Sequence, residues 1–193
     1  MRIVFVLFDG MDLMDFAGPF EALLTANRLL AREGAAPAFD LVTVSPTGEP
    51  VLAYGGVPVT PHREAADVAE VGVVVVPGTI DIDAALADQH LVDTVRKLAA
   101  NCSVTTSVCT GAFLLAEAGV LHGRTWTTHW EDIPLLSQRL DGGRRERVVD
   151  TGAVITAGGI GCGIDLGLHL VARLADPDLA RGCARQMDVP WGD

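Results

Sequence analysis

Cys109 is the side chain whose surroundings point most directly to chemistry. A β-branched run, residues 103–108, ends at this cysteine, and a helix-forming run begins just after it. Small residues stand two positions before it (Ser107) and two after it (Gly111), which is the spacing of a nucleophile elbow. Such a turn is tight, so only small residues fit where the chain passes close to itself. The spacing predicts that Cys109 is a nucleophile raised above a sheet.

The helix that follows Cys109 should influence the ionisation of its thiol. The amino end of a helix carries partial positive charge, which favours a thiolate over a thiol. On this ground we expect Cys109 to be the most reactive of the four cysteines near neutral pH. The alternative is a structural cysteine at the end of a strand, since free cysteines are often buried.

Attack by Cys109 on a carbon atom would create negative charge that needs hydrogen-bond donors. The backbone N–H of Thr110, at the start of the helix, is one candidate donor. Gly78 is the second, because it follows the apolar run 71–76 and a glycine lets the backbone approach a ligand.

The elements around these residues alternate between strand and helix. Apolar strands without polar alternation, separated by helical patterns, indicate an α/β fold whose mostly parallel sheet has helices on both faces. We expect a single domain over residues 1–193, because this length suits one core. Ligands of such sheets bind beyond the carboxyl ends of the strands, where the elbow would place Cys109.

Periodicity and turn residues predict where these elements lie. The predicted strands are 2–8, 39–44, 71–76, 103–108, 125–128 and a pair at 147–149 and 153–156. The predicted helices are 19–31, opened by Pro19, then 81–100 in two pieces, 110–118, 131–140, 162–174 and 177–187. Residues 45–61 should form a hairpin or an irregular excursion.

Charge and composition argue against several classes of function. The formal net charge of −11 disfavours direct binding to nucleic acid, whose phosphates need a basic surface. No apolar run is long enough to span a membrane and no signal peptide is evident, so we expect a cytoplasmic protein. The four cysteines form no CxxC pair, and we interpret them as reduced thiols.

Four segments together resemble the ThiJ/PfpI superfamily. They are Val108-Cys109-Thr110-Gly111-Ala112, Gly119-Val120-Leu121-x-Gly123, Thr127-Thr128-His129-Trp130 and Ala157-Gly158-Gly159-Ile160-x-x-Gly163-Ile164-Asp165. The sequence is similar to two branches, isocyanide hydratase and the amidase-like domain of AraC-type transcription regulators. The resemblance extends from Val4 to about Ala175. It implies a flavodoxin-like sandwich with the cysteine at the elbow, and a homodimer.

The resemblance places the family's acidic residue at Asp15, within the spacing acid-x-x-Gly18-Pro19. An acid shortly before a helix-opening proline should lie in the loop after the first strand, on the same sheet edge as the elbow. Repulsion by a thiolate would favour the protonated carboxyl, which suits a proton donor. The alternative is a helix cap or a solvated acid, which we expect for Asp9 and Asp12.

Two positions depart from the family pattern. Pro77-Gly78-Thr79 stands where the family commonly has Pro-Gly-Gly, and Thr79 still offers a backbone N–H to a substrate. Thr110 stands where the peptidase and glyoxalase-like branches have a histidine, which disfavours proteolysis and deglycation.

His129 is the best remaining histidine candidate, expected more as a hydrogen-bonded supporting residue than as a group that touches substrate. Asp132 lies three residues from it, but no third ligand is evident, so we expect no metal. We expect no cofactor either.

Two kinds of function follow, each with a small molecule as the partner. In the first, Cys109 attacks the carbon of a small electrophile and Asp15 delivers a proton, as in hydration of an isocyanide to an N-formamide. In the second, the same pocket senses a metabolite without turnover, as in a domain related to AraC-type regulators. A smaller possibility is a redox role, in which Cys109 is oxidised to a sulfenic or sulfinic acid.

Overall fold

The structure, a computed structural model, describes residues 1–191. Its strands are Arg2–Val6 (β1), Asp40–Ser45 (β2), Val51–Ala53 (β3), Val57–Val59 (β4), Arg63–Glu64 (β5), Val73–Val76 (β6), Val104–Val108 (β7), Val148–Asp150 (β8) and Val154–Ala157 (β9). Its helices are Leu13–Arg32 (α1), Ile82–Ala87 (α2), Gln89–Ala100 (α3), Gly111–Glu117 (α4), Ile133–Leu136 (α5), Cys162–Leu174 (α6) and Pro177–Met187 (α7). The predicted domain also includes residues 192 and 193, which lie outside the described part.

Seven of the strands form one sheet in the order β5-β2-β1-β6-β7-β9-β8. Neighbouring strands run parallel, except that β8 pairs with β9 in the antiparallel direction. The strand order changes direction at β1, with β2 and β5 on one side of it and β6 and β7 on the other. Because β6 and β7 are parallel neighbours, their carboxyl ends lie at the same edge of the sheet. The expected α/β fold with a mostly parallel sheet is confirmed.

Two apolar cores lie on opposite faces of the sheet. Ile3 and Phe5 of β1 point into the core formed with α1, α6 and α7, whereas Val4 and Val6 point into the core formed with α3 and α4. This division follows from the alternation of side chains along a strand, and it explains why the strands show no polar face. Within the described residues, no helix has both the length and the apolar character needed to cross a membrane.

The first helix begins earlier than predicted. The Asp12 carboxylate accepts a hydrogen bond from the Met14 N–H at 3.1 Å and so caps the helix at Leu13. Pro19 therefore lies inside α1, where it has no N–H to donate to the Asp15 carbonyl, and its prediction as the opening residue was wrong. Asp15 lies in the first turn of α1 rather than in the preceding loop.

The predicted strand at 125–128 was also wrong. Trp126 makes only an isolated bridge to Gly143, and its side chain is fully buried. The N–H of Thr127 donates to the side-chain hydroxyl of Thr156 at 2.8 Å instead of to a ladder carbonyl. The apolar and threonine-rich pattern here reflects burial without strand pairing.

Most of the remaining elements agree with their predictions. Residues 45–61 contain the β3–β4 hairpin, and residues 81–100 form two helices, α2 and α3. Only Ile133–Leu136 of the predicted helix 131–140 is α-helical, because the following residues continue as hydrogen-bonded turns.

Gly167 marks the closest approach of α6 to α1. A Cβ atom at this position would lie 2.6 Å from the Cβ of Ala22 and 2.8 Å from the Cα of Pro19. These distances are below van der Waals contact, and one of them is to backbone. The pattern of small residues therefore sets the distance between the two helices.

We expect Gly167→Ala to lower the free energy of unfolding by about 1–3 kcal/mol, because the added methyl overpacks the contact between α1 and α6. Chemical denaturation followed by circular dichroism measures this change. Gly182→Ala in α7 is the matched control, since a Cβ there meets only the Cδ1 of Leu29 at 3.4 Å. The control should gain up to about 1 kcal/mol from helix propensity. A stabilising effect of both substitutions would contradict the expected overpacking.

Candidate active site

Cys109 adopts a backbone conformation that is unusual for a residue with a side chain. Its φ of +54° lies in the left-handed region. Its N–H donates to the carbonyl of Gly158 at 2.8 Å, and its carbonyl accepts from the hydroxyl of Thr128, also at 2.8 Å. These bonds offset the cost of the strained conformation. They hold Cys109 at the carboxyl end of β7, on the turn into α4.

The residues on either side of the turn have no room to be larger. A Cβ atom at Gly111 would lie 2.4 Å from the carbonyl oxygen of Val76, at the end of the neighbouring strand. Ser107 is fully buried, and its hydroxyl has no hydrogen-bond partner among the described residues. The tight turn inferred from the spacing around Cys109 is therefore present.

Asp15 is a fully buried carboxylic acid next to Cys109. Its Oδ2 accepts a hydrogen bond from the Gly78 N–H at 2.9 Å, whereas its Oδ1 has no partner among residues 1–191. Burial raises the pKa of this carboxyl to about 7, opposed by the Gly78 hydrogen bond and aided by the charge of Asp12. Asp15 can therefore both hold and release a proton near neutral pH.

The pKa of the Cys109 thiol is raised, first by burial and second by the negative charge of Asp15. The Thr110 N–H opposes this rise by hydrogen-bonding to the sulfur, while the carboxylates of Asp12 and Asp132 add to it. The thiol is thus protonated at neutral pH in this environment, unlike the thiolate expected from the helix end alone. Local sequence reveals the helix but not the burial or the surrounding acids.

The predicted donors around Cys109 come together, but two of their N–H groups already have protein partners. The Gly78 N–H is bonded to Asp15, and the Thr79 N–H donates to the hydroxyl of Thr110 at 2.7 Å. That hydroxyl in turn donates to the Thr79 carbonyl at 2.6 Å. These groups therefore fasten the loop after β6 to the elbow and hold the acid beside the thiol.

His129 contacts two nearby carboxylates and a glycine of the segment after β9. Its Nδ1 is 3.6 Å from Asp132 and 3.7 Å from Glu131. Its ring packs closely against Gly159, where a Cβ would lie 2.9 Å from the imidazole. The charge of Asp132 contributes to the raised pKa of the Cys109 thiol, and His129 opposes the rise in the pKa of Asp132 that burial causes. Among residues 1–191, no three His, Cys, Asp or Glu side chains group as metal ligands.

Three residues of the site were not identified from the sequence. Thr128 and Gly158 lie within the segments that carry the family resemblance, and each bonds the backbone of Cys109. Their position in those segments could have identified them as candidates, although the local sequence does not indicate their hydrogen bonds to Cys109. Asp132 was considered only as a metal ligand, because its distance from Cys109 depends on the tertiary fold.

The sheet, the buried cysteine on a left-handed turn and the adjacent buried acid define a class of α/β proteins with one thiol at the carboxyl end of a central strand. A model of the DJ-1/PfpI family matches residues 1–173. The chain belongs to this family.

Comparisons with individual proteins agree with this assignment. The chain is 31% identical over 188 residues to the isonitrile hydratase of Pseudomonas putida, covering 97% of this chain and 78% of that protein. It is also 31% identical over 188 residues to the HTH-type transcriptional regulator GlxA of Rhizobium meliloti, covering 93% and 55%. A crystal structure of a THiJ/PfpI family protein from Pseudomonas syringae superposes with a TM-score of 0.85 at 26% identity, covering 100% and 76%.

We expect Asp15→Asn to speed alkylation of Cys109 by iodoacetamide, by roughly tenfold at a pH above the carboxyl pKa of about 7. The substitution removes the negative charge that raises the thiol pKa, so more thiolate forms at a given pH. Below that pH the acid is already neutral in the unsubstituted protein, and the difference should shrink. Peptide mapping of the alkylated protein at several pH values measures the rate at each cysteine.

Asp83→Asn is the control, because Asp83 is exposed and is not among the charges that act on Cys109. The rate at Cys109 should be the same with and without this substitution. The expected coupling between acid and thiol is absent if Asp15→Asn leaves the Cys109 rate unchanged at every pH.

Proposed function

We propose that this protein catalyses the cysteine-dependent addition of water to a small electrophile, with an isocyanide as the substrate and an N-formamide as the product. The observation that carries this proposal is the buried pair of Cys109 and Asp15, in which the carboxyl has a pKa of about 7. A group of that pKa is suited to accept and return a proton at neutral pH. The 31% identity to an isonitrile hydratase supports the same chemistry.

The first step adds the Cys109 thiol to the terminal carbon of the isocyanide. The sulfur forms a bond to that carbon while the Asp15 carboxylate takes the thiol proton. The acid form of Asp15 then returns the proton to the same carbon, giving a thioimidate, R–N=CH–S–Cys109. The carboxylate is regenerated, so this step consumes one thiol and one isocyanide.

The second step releases the product. Water adds to the thioimidate carbon, and the carbon–sulfur bond breaks. One proton from water ends on nitrogen and the other on sulfur, which gives R–NH–CHO and the free thiol. The net reaction converts one isocyanide and one water to an N-formamide, and the protein is unchanged.

The donors around the site favour this reaction over amide hydrolysis. Hydrolysis develops charge on an oxygen and relies on free N–H groups aimed at it. Here the N–H groups of Gly78 and Thr79 already bond Asp15 and Thr110. Addition to an isocyanide instead develops charge on a carbon, and the proton that neutralises it comes from Asp15.

A sensing role is the second candidate. Cys109 is only 7% exposed, and the chain is 31% identical to part of the regulator GlxA. A buried thiol beside an acid could bind a metabolite, or be oxidised, without turnover. We infer a cytoplasmic location for either role, in keeping with four cysteines that form no disulfide.

We expect Asp15→Asn to lower turnover by roughly 10²–10⁴-fold, the usual contribution of a general acid. Cys109→Ala should abolish turnover, because no covalent adduct can form. The assay measures formamide production from a small aliphatic or aromatic isocyanide, together with mass spectrometry of the adduct on Cys109. Asp9→Asn, which changes a nearby acid that accepts from the Leu52 N–H, should retain activity.

The outcomes separate the two candidate functions. If the unsubstituted protein shows neither turnover nor a covalent adduct, the hydratase function is contradicted and the sensing role is favoured. Full activity in Asp15→Asn together with none in Cys109→Ala would keep the nucleophile and assign the proton donor elsewhere, with His129 next to test.

We also infer that two copies of the chain associate through the β3–β4 hairpin. Leu52, Tyr54 and Val57 present 56%, 62% and 44% of their surface to solvent, which is unusual for three apolar neighbours. The Tyr54 N–H donates to the Met11 carbonyl at 2.8 Å, which holds the hairpin beside the start of α1. An interface here would lie beside Met11, four residues before Asp15.

Light scattering should give twice the chain mass of 20.3 kDa at micromolar concentration. Tyr54→Asp should shift the protein toward the single-chain mass, because a charge would be buried in the interface. Leu135→Asp is the matched control, since Leu135 is 48% exposed and belongs to α5 rather than to the hairpin. A single-chain mass for the unsubstituted protein, or equal effects of both substitutions, would contradict a dimer through the hairpin.

A further inference from the structure

A cavity lies apart from the cysteine site. It has a volume of about 580 Å³ and opens between α3 and the segment from Glu64 to Val71, beside the β5 edge of the sheet. None of the residues around Cys109 lines it. Its size is within the range of cavities that hold small metabolites.

One wall of the cavity is a polar face of α3. His90, Thr94 and Lys97 of α3 and Asn101, which caps its carboxyl end, line the cavity at intervals of four, three and four residues. This spacing places them on one side of the helix. Thr94 is only 7% exposed, yet its hydroxyl makes no hydrogen bond to any other described residue. The Thr94 hydroxyl is therefore free to hydrogen-bond a ligand or solvent in the cavity that Thr94 lines.

Lys97 supplies the positive charge of this wall. It is the only lysine in the sequence, whose other basic side chains, apart from histidine, are arginines. The lysine lines the cavity and forms no ion pair with any residue between 1 and 191. Its backbone carbonyl accepts a hydrogen bond from the Asn101 amide at 2.7 Å, so the two side chains lie on the same turn.

The facing wall carries negative charge over an apolar surface. Glu64 and Glu70 line it, together with Ala65, Val68 and Val71. Neither glutamate pairs with a described cation. These carboxylates would repel a ligand that carries only negative charge, and Lys97 would repel a ligand that carries only positive charge. A molecule with both charges satisfies the two walls at once, and an aliphatic body suits the methyl groups between them.

We propose that this cavity binds a small zwitterion with an aliphatic body, of the class of aliphatic amino acids. Lys97 and the Thr94 hydroxyl receive the ligand carboxylate, and Glu70 on the facing wall receives the ammonium group. The valine and alanine side chains contact the aliphatic part. This binding is independent of the chemistry at Cys109.

The unique lysine allows a direct test on the full chain. Reductive methylation with ¹³C-formaldehyde keeps the charge of amines and labels only Lys97 and the amino terminus of Met1. The Met1 amino group bonds the Ala38 carbonyl and does not line the cavity, so its signal is the internal control. Norleucine should shift the Lys97 signal saturably in NMR spectra and leave the Met1 signal unchanged.

Two probes with the same six-carbon chain identify the charges that matter. Hexanoate lacks the ammonium group and hexylamine lacks the carboxylate, so each should bind roughly tenfold more weakly than norleucine. Equal binding by either probe would overturn the assignment to a zwitterion. Absence of a Lys97 shift with norleucine at millimolar concentration would overturn the site.

Calorimetry of the variants assigns the roles within the cavity. Lys97→Met keeps the aliphatic stem and should weaken norleucine binding roughly tenfold, and Thr94→Val should weaken it about fivefold. Arg181→Met removes the same charge from the surface of α7 and should have no effect. Equal weakening by Arg181→Met would mean that net charge, rather than this cavity, controls binding, and would overturn the proposal.

Discussion

The close approach of the loop after β6 to the turn at Cys109 is the constraint on which the rest of the site depends. A Cβ on Gly78 would lie 2.7 Å from the Thr110 nitrogen, and one on Gly111 would lie 2.4 Å from the Val76 oxygen. Because β6 and β7 are neighbours in the parallel sheet, their loops leave the same edge and must share this space. The loop that results supplies the N–H that holds Asp15 next to the thiol.

The charges around Cys109 distinguish this site from cysteine sites that use a preformed thiolate. The surrounding groups that raise the thiol pKa are carboxylates, and the opposing contribution is one backbone N–H. A protonated thiol beside a carboxyl with a pKa of about 7 suits a reaction in which one carbon gains both sulfur and hydrogen. It suits an attack on an unactivated amide much less well, since that attack requires the anion.

The sequence predicted the parts of the molecule that local pattern determines. Apolar runs located β1, β6 and β7, and the spacing of Ser107 and Gly111 located the turn at Cys109. Asp15 was identified chiefly through the family resemblance. Its predicted place in a loop was wrong because the helix was expected to begin at Pro19, whereas Asp12, expected as a cap or a solvated acid, caps α1 at Leu13. Thr128, Gly158 and the protonated state of the thiol depend on contacts between distant segments, which periodicity does not reveal.

The burial of Asp15 has a consequence for folding as well as for chemistry. Its carboxyl titrates at about 7 in the folded chain but near its ordinary value of 3.8 when the chain is unfolded. Between these two values folding takes up a proton, so the contribution of Asp15 to stability is complete below 3.8 and is lost as the pH rises through 7. The folded chain thus buries an acid whose ionised form opposes folding in neutral and alkaline solution. A neutral residue at position 15 would raise the free energy of unfolding at neutral pH, and selection for stability alone would be expected to replace Asp15.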